Sequence, residues 1–326
     1  MTSSLRPSPE TIARAAALLR EGRLVAFPTE TVYGLGANAL DPAAVARVFE
    51  AKGRPDWNPL IVHVPDADAA RSLAARWPVA ADRLAERFWP GPLTLVVPKR
   101  PNVPDAVTAG LGAVALRVPA HPVALAILRA AGVPVAAPSA NRSGGISPTT
   151  AEHVRKSLGD RVDLIVDGGP TAVGIESAVV DLTGARPALL RPGRIPLDQL
   201  ESVIGPIAAG GRVAAGVPRH SPGQAERHYA PRARLLLVAT AAEASRAIEE
   251  ARARGGRAGA LVRRLAAPEA DAIVRLPDDP AGCAEGLYAA LHALDDAGCD
   301  VIVAEEVPDG AEWAGVRDRL RRAAAR

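Results

Sequence analysis

The 326-residue chain is 48% hydrophobic and 23% charged with a net charge of +3, which suits one large or two ordinary folded domains and excludes a chain disordered throughout. Cys283 and Cys299 stand without a Cys-x-x-Cys pair or a Cys/His cluster, so they read as core thiols rather than a zinc site or a disulfide framework. No run of eighteen apolar residues occurs and Met1-Thr2-Ser3-Ser4-Leu5-Arg6-Pro7 lacks the apolar core of a signal peptide, so no membrane association and a cytoplasmic location are expected.

Ser8-Pro9-Glu10 supplies an N-cap, a first-turn proline and a dipole-matched acid, predicting a helix over 9–21. Leu24-Val25-Ala26-Phe27 reads as a strand that stops at Pro28, followed by a polar loop over Thr29 to Gly36 that would face a ligand. Asp41-Pro42 begins a second helix that delivers Lys52 and Arg54 at its C-terminal end, before a strand over 60–64. Only Lys52, Lys99 and Lys156 are lysines among 39 basic residues, which singles out position 52 as one that needs a compact ammonium. With the fork of Arg54, the amide of Asn58 and the imidazole of His63, the stretch suits a polyphosphate; a solvated basic turn at a helix end is the other reading.

Two helices are predicted over 66–88, then strands over 93–97 and 114–118, the second carrying Arg117 either as an exposed edge residue or as a bidentate carboxylate ligand. A helix over 122–131 and a strand over 133–137 lead to Pro138-Ser139-Ala140-Asn141-Arg142-Ser143-Gly144-Gly145, a small polar turn suited to approaching phosphates. Ser147-Pro148 is expected to cap the next helix. Strands over 164–167, 177–182 and 188–191 follow without strict alternation with helices, which favours a mixed twisted sheet.

From Gly205 to Pro231 the composition turns to Gly, Pro, Ala and Arg, and residues 205–234 hold five basic groups against one acidic. This is where a domain boundary is expected, with 1–204 as the first domain, 205–231 as a linker and 232–326 as the second. Strands over 233–239, 258–262, 271–276 and 300–304 and helices over 241–254, 281–297 and 311–325 make the second domain a small Rossmann-like α/β unit without a Gly-rich phosphate fingerprint.

The chain resembles the threonylcarbamoyl-AMP synthases in their long form, a YrdC-like catalytic domain followed by a Sua-type domain. The resemblance rests on Pro28-Thr29-Glu30-Thr31-Val32-Tyr33-Gly34-Leu35-Gly36, the stretch from Lys52 to His63, Pro138-Ser139-Ala140-Asn141 with Ser143-Gly144 and Ser147-Pro148-Thr149, and His228-Tyr229-Ala230-Pro231. It implies a twisted parallel/antiparallel sheet with helices, and a nucleotidyltransferase that makes threonylcarbamoyl-AMP and pyrophosphate from L-threonine, bicarbonate and ATP. The product would pass to the transferase machinery that modifies adenosine in tRNA, and a weak contact with RNA is a further expectation.

By the same resemblance Thr31, His63, Arg117 and Ser177 would hold threonine, with the main chain near Ala137. Lys52, Arg54, Asn58, Ser139, Asn141, Ser147, Arg191 and Tyr229 would hold ATP, with backbone help near Ala113, and Lys52 and Arg54 would stabilise the charge that develops during transfer. No protein metal site is expected; Mg2+ would arrive on the ATP phosphates. Where the family often has threonine this chain has Ala178, so a hydroxyl contact must be dispensable or replaced. The 205–231 segment would act as a lid over a hydrolysable carbamate. A double-stranded RNA-binding regulator of the same fold is the alternative, and a hydrogenase-maturation-type carbamoyl transferase, lacking here its zinc-finger cysteines, a third reading.

Overall fold

The computed structural model describes residues 4–209, 228–267 and 269–325. A short strand β1 (Ser4–Leu5) and helix α1 (Pro9–Arg20) lead into β2 (Val25–Pro28), β3 (Tyr33–Asn38), α2 (Pro42–Lys52), β4 (Ile61–His63), α3 (Ala67–Arg71) and α4 (Val79–Phe88). Then come β5 (Leu93–Pro98), α5 (Asp105–Thr108), β6 (Ala113–Arg117), α6 (Pro122–Ala131), β7 (Val135–Ala136), α7 (Ala151–Leu158), β8 (Leu164–Val166), β9 (Ala178–Asp181), β10 (Ala188–Arg191), α8 (Leu197–Ile204) and β11 (Ala208–Ala209). Ser8, Asp41 and Thr150 sit in extended backbone and each side chain accepts an N–H from the first turn it precedes, satisfying donors the helix cannot.

These strands form one sheet in the order β1-β8-β2-β3-β7-β4-β6-β5-β9-β10-β11. The pairing is mixed: β2 with β8, β4 with β6 and β5 with β9 run parallel, while β2 with β3, β5 with β6 and β9 with β10 run antiparallel. Alternation along the strands decides what each face does. Val62, Leu116 and Val180 turn to the main core with Leu35, Leu84 and Leu95. Ile61, Ala115 and Val179 form a small apolar patch on the opposite face, and by the same parity His63 and Arg117, paired in register, share that second face. Near β2 and β8 this second face is covered by α1 and α6 through Leu19, Phe27, Ile127 and Leu128. Beyond that cover it carries the cleft.

The second unit comprises β12 (Arg234–Val238), α9 (Ala241–Ala253), β13 (Ala258–Val262), β14 (Ala272–Arg275), α10 (Pro280–Asp296), β15 (Val301–Glu305) and α11 (Ala314–Ala324), with an all-parallel sheet ordered β12-β15-β13-β14. The units share a core in which Val32, Ile146 and Ile175 of the first pack with Leu287, Tyr288, Leu291 and Val316 of the second. Their backbones approach closely: a Cβ added at Gly315 would lie 2.6 Å from the Gly193 carbonyl oxygen.

Several expectations are corrected. Residues 33–36 are not loop but the start of β3, because Tyr33 and Leu35 pair with Pro28 and Ala26 in an antiparallel hairpin whose turn is only 29–32. Thr150, not Ser147, caps α7, since its side chain accepts the His153 N–H. Arg117 is not an edge residue: β6 lies between β4 and β5, and the side chain is buried. The first residues of the expected linker join the first sheet, as β11 pairs with β10 and Ile207 is buried. β1 and α8 were not foreseen.

Candidate functional site

The cleft is about 500 Å³, its open mouth included, and is built around the turn between β2 and β3. There Thr29 Oγ donates to Val32 O at 2.6 Å and accepts the N–H groups of Thr31 and Val32 at 3.2 Å, a self-bonded turn that fixes Thr31 at the cleft wall. Between them Glu30 accepts Arg117 Nη2 at 2.6 Å and the Ala120 N–H at 3.0 Å, while Arg117 Nε donates to Gly91 O at 3.3 Å. The guanidinium is thus fixed from behind, and among the described residues its end-on Nη1 and remaining Nη2 hydrogen have no partner, a geometry that suits a carboxylate. His63, beside Arg117 on β4, is buried; desolvation first and the Arg117 charge second push its pKa down to about 3, so the imidazole is neutral.

A second arm is built from the end of α2. Gly53 at φ +59° gives the left-handed residue that stops the helix and turns the chain back. Lys52 Nζ then donates to Ser139 O and Asn141 O at 2.5 Å each, and the Ser143 N–H donates to Lys52 O at 2.9 Å. Burial and the adjacent Arg54 hold the Lys52 pKa well below the usual lysine range. Arg54 donates through Nη2 to Asn58 O at 3.2 Å and to Pro59 O at 3.0 Å, and burial lowers its pKa to about 10. Asn141 Nδ2 donates to Arg142 O and Gly145 O, yet Asn141 Oδ1 and Asn58 Oδ1 are buried with no hydrogen-bond partner among the described residues. Buried acceptors are normally paired, so these two need a water or a bound molecule as partner.

The floor is Glu176 and Arg191. Arg191 donates through Nε to Ser177 O at 3.0 Å and through Nη2 to Ser177 Oγ at 3.1 Å, and that Oγ lies 2.8 Å from Thr94 Oγ1. Glu176 accepts Ser147 Oγ at 2.5 Å, Tyr288 OH at 2.9 Å and Arg319 Nε at 2.8 Å. Burial alone would raise its pKa, but Arg319 and Arg191 win and hold it at about 2. Tyr229 closes one side at φ +62°, buried, and the Ala230 N–H donates to Gly144 O at 2.9 Å. Around the cleft five buried cations, Lys52, Arg54, Arg117, Arg191 and Arg319, stand against two buried carboxylates, Glu30 and Glu176, an imbalance that favours an anionic ligand.

Of the residues singled out from sequence, Thr31, Arg54, His63, Arg117, Ala137, Ser139, Arg191 and Tyr229 line this one cleft. Lys52, Asn141, Ser147 and Ser177 stand one bond behind its wall, and Asn58 is held by Arg54. Ala113 is at the far end of β6 from Arg117, on the same face but outside the lining. Ala178 turns its methyl into the main core, so the missing hydroxyl does not face the cleft. Glu176, Thr29 and His228 also line the cleft; the sequence assigns none of them a ligand role, although Thr29 and His228 stand in its motifs, and an acid directly before Ser177 is the available signal for Glu176. Residues 210–227, most of the expected lid, lie outside the described residues.

A mixed sheet that opens one face onto a cation-walled cleft, with a hydroxyl-lined arm beside it and a Rossmann-like unit docked behind, defines a two-unit α/β protein whose cleft suits an anionic ligand. Residues 17–193 match the Sua5/YciO/YrdC family model, described as telomere recombination, and residues 195–325 match the model of the threonylcarbamoyl-AMP synthase C-terminal domain. The chain belongs to the threonylcarbamoyl-AMP synthase family. It is 47% identical over 318 residues to the threonylcarbamoyl-AMP synthase of Pyrococcus abyssi, covering 95% of this chain and 92% of that one. The synthase of Bacillus subtilis is 46% identical, with 99% of this chain and 96% of that one covered. The crystal structure of P. abyssi Sua5 complexed with L-threonine superposes with a TM-score of 0.94 at 43% identity, covering 99% of this chain and 97% of that one.

Proposed function

We infer that this chain is an L-threonylcarbamoyladenylate synthase. The threonine amine attacks the carbon of bicarbonate and water leaves, giving a carbamate; a carbamate oxygen then attacks the α-phosphorus of ATP and the α–β anhydride bond breaks, releasing pyrophosphate. No protein nucleophile is needed, so the chain contributes placement and charge. The observation that carries the reading is that one cleft joins the arm of Thr31, His63 and Arg117 to the arm of Arg54, Ser139 and Arg191.

In this reading Arg117 pairs the threonine carboxylate through the hydrogens that Glu30 and Gly91 leave, and neutral His63 and Thr31 bind its polar groups. Ser177 orients Arg191 beside them. Lys52 ties the 139–141 loop to the end of α2 while Arg54 and Arg191 meet the phosphates, with Asn58, Asn141, Ser147 and Tyr229 completing the ATP side and Ala113 extending it along β6. Magnesium enters as the complex with ATP; both oxygens of Glu176 are already engaged by Ser147, Tyr288 and Arg319, so the floor offers it no uncommitted carboxylate. Residues 1–204 would be the catalytic domain, 205–231 its connection and 232–326 the Sua-type domain.

The double-stranded RNA alternative is not supported: the relatives named above are synthases, and the cations of the cleft are buried rather than spread on an exposed surface. No helix among the described residues is long and apolar enough to cross a membrane. A cytoplasmic place, with the product passing to tRNA-modifying transferase machinery, fits these substrates. Mass spectrometry of a reaction with ATP, threonine and 13C-bicarbonate is the test. The label is expected in threonylcarbamoyl-AMP, and ATP breakdown with no labelled adduct would overturn the assignment.

A further inference from the structure

The second unit sends one side chain into the rear of the cleft. Arg319, on α11, is fully buried, and its single guanidinium makes five contacts there. Nε donates to Glu176 Oε2 at 2.8 Å, Nη2 to the Glu176 carbonyl oxygen at 3.1 Å and Nη1 to the Pro192 carbonyl oxygen at 2.8 Å and to Asp318 Oδ2 at 3.0 Å, while its Cζ lies 5.3 Å from the ring centre of Tyr229. Tyr288, from α10, donates to the same Glu176 oxygen.

The two carbonyls belong to residues that flank two candidate ligands in the chain: Glu176 precedes Ser177, and Pro192 follows Arg191. Arg191 in turn donates twice to Ser177. One planar fork therefore fixes the backbone on both sides of the Ser177–Arg191 pair and also supports Tyr229 from behind. We propose that Arg319 is a positioning residue for the reaction, through which the second unit sets the placement of Ser177, Arg191 and Tyr229. This rests on the synthase reading of the cleft. Arg319 does not line the cleft, so its effect passes through Glu176 and Pro192. A lysine there could reach one of these acceptors but not all three, and would lose the flat face against Tyr229.

The test uses the full chain with Arg319→Lys, Tyr288→Phe and, as a control, Lys156→Gln. The control removes another ion pair between the units, Lys156 to Asp296 at 2.8 Å, whose side chains are half exposed. Each protein is melted first, then assayed for pyrophosphate release well below its transition, with KM for threonine and ATP taken separately from kcat. Arg319→Lys is expected to lower kcat/KM for both substrates at least about tenfold, the loss that one charge-assisted hydrogen bond carries. Tyr288→Phe should raise KM for at least one substrate, and Lys156→Gln should stay within about twofold because an exposed pair contributes little. A merely structural role would shift the melting temperature and leave the constants of the folded protein alone. A folded Arg319→Lys with wild-type constants overturns the proposal, and if that variant does not fold, unchanged constants in Tyr288→Phe overturn it. A wild-type protein that forms no threonylcarbamoyl-AMP refutes the reaction assignment instead, so the two failures are distinguishable.

Discussion

Replacing Lys52 with methionine keeps the length and apolar stem of the side chain and deletes only the ammonium. Ser139 O would keep the Asn141 N–H at 3.0 Å, but Asn141 O would lose Lys52, its one donor among the described residues. A lost charge-assisted bond is worth about 1.5–3 kcal/mol and an orphaned buried carbonyl about 1–3 kcal/mol. Relief from burying an ammonium offsets part of this. A net loss of about 2–4 kcal/mol is expected, which at about 2–4 °C per kcal/mol lowers the melting temperature by about 4–16 °C. The same change frees the 139–141 loop, which carries Ser139 at the cleft wall, so pyrophosphate release by the folded fraction should fall at least about a hundredfold, as for loss of a preorganised polar group. Thermal melts followed by dye fluorescence and steady-state pyrophosphate release measure the two losses separately. A melting curve that superimposes on the wild type would refute the bonding argument, and normal turnover would refute the placement of this loop on the ATP side. An alanine scan that looks for lost activity in an unperturbed fold is therefore the wrong experiment at this position.

Two further outcomes are expected. Arg117→Lys should weaken threonine binding far more than ATP binding in calorimetry, because a point charge can satisfy Glu30 or a carboxylate but not both in one plane; equal losses would place Arg117 elsewhere. For Glu176 the folded pKa of about 2 lies below the ordinary 4.5, so its contribution is present above about 4.5 and is lost as pH falls toward 2. The contribution is of order 3 kcal/mol for a shift of this size, so Glu176→Gln should be less stable than wild type in urea at pH 6, with the gap closing between pH 4.5 and 2. A gap that stays constant over that window would show that Glu176 is not held by Arg319 and Arg191.

Much of the architecture was legible because periodicity and caps are local. The apolar runs at 60–64 and 114–118 mark both strands, and Ser8-Pro9 and Asp41-Pro42 mark the helix starts that form, whereas the face that His63 and Arg117 share follows only from their pairing in register. Ser147-Pro148 carries an equally good capping signal, yet Glu176 takes that hydroxyl and Thr150 caps instead; a local rule loses to a buried carboxylate that arrives from far along the chain. The rarity of lysine singles out Lys52, which is buried behind the cleft wall, but its bonds go to main-chain carbonyls that no local pattern identifies. Strands β1 and β11 are two residues long, too short for any period to register. Nothing in the sequence pairs Glu176 with Arg319: the acid before Ser177 marks a candidate, but Arg319 read alone is an ordinary charge on a helix.

That pair also orders events in time. Its partners lie 143 residues apart, and at about 5–20 residues per second a ribosome makes Glu176 roughly 7–30 s before Arg319. During that interval the first sheet can form while its buried acid has neither Arg319 nor Tyr288, and Val32, Ile146 and Ile175 have no apolar partner from α10 and α11. The rear of the cleft, with Glu176 paired and this apolar seam closed, is therefore complete only when synthesis has passed α11.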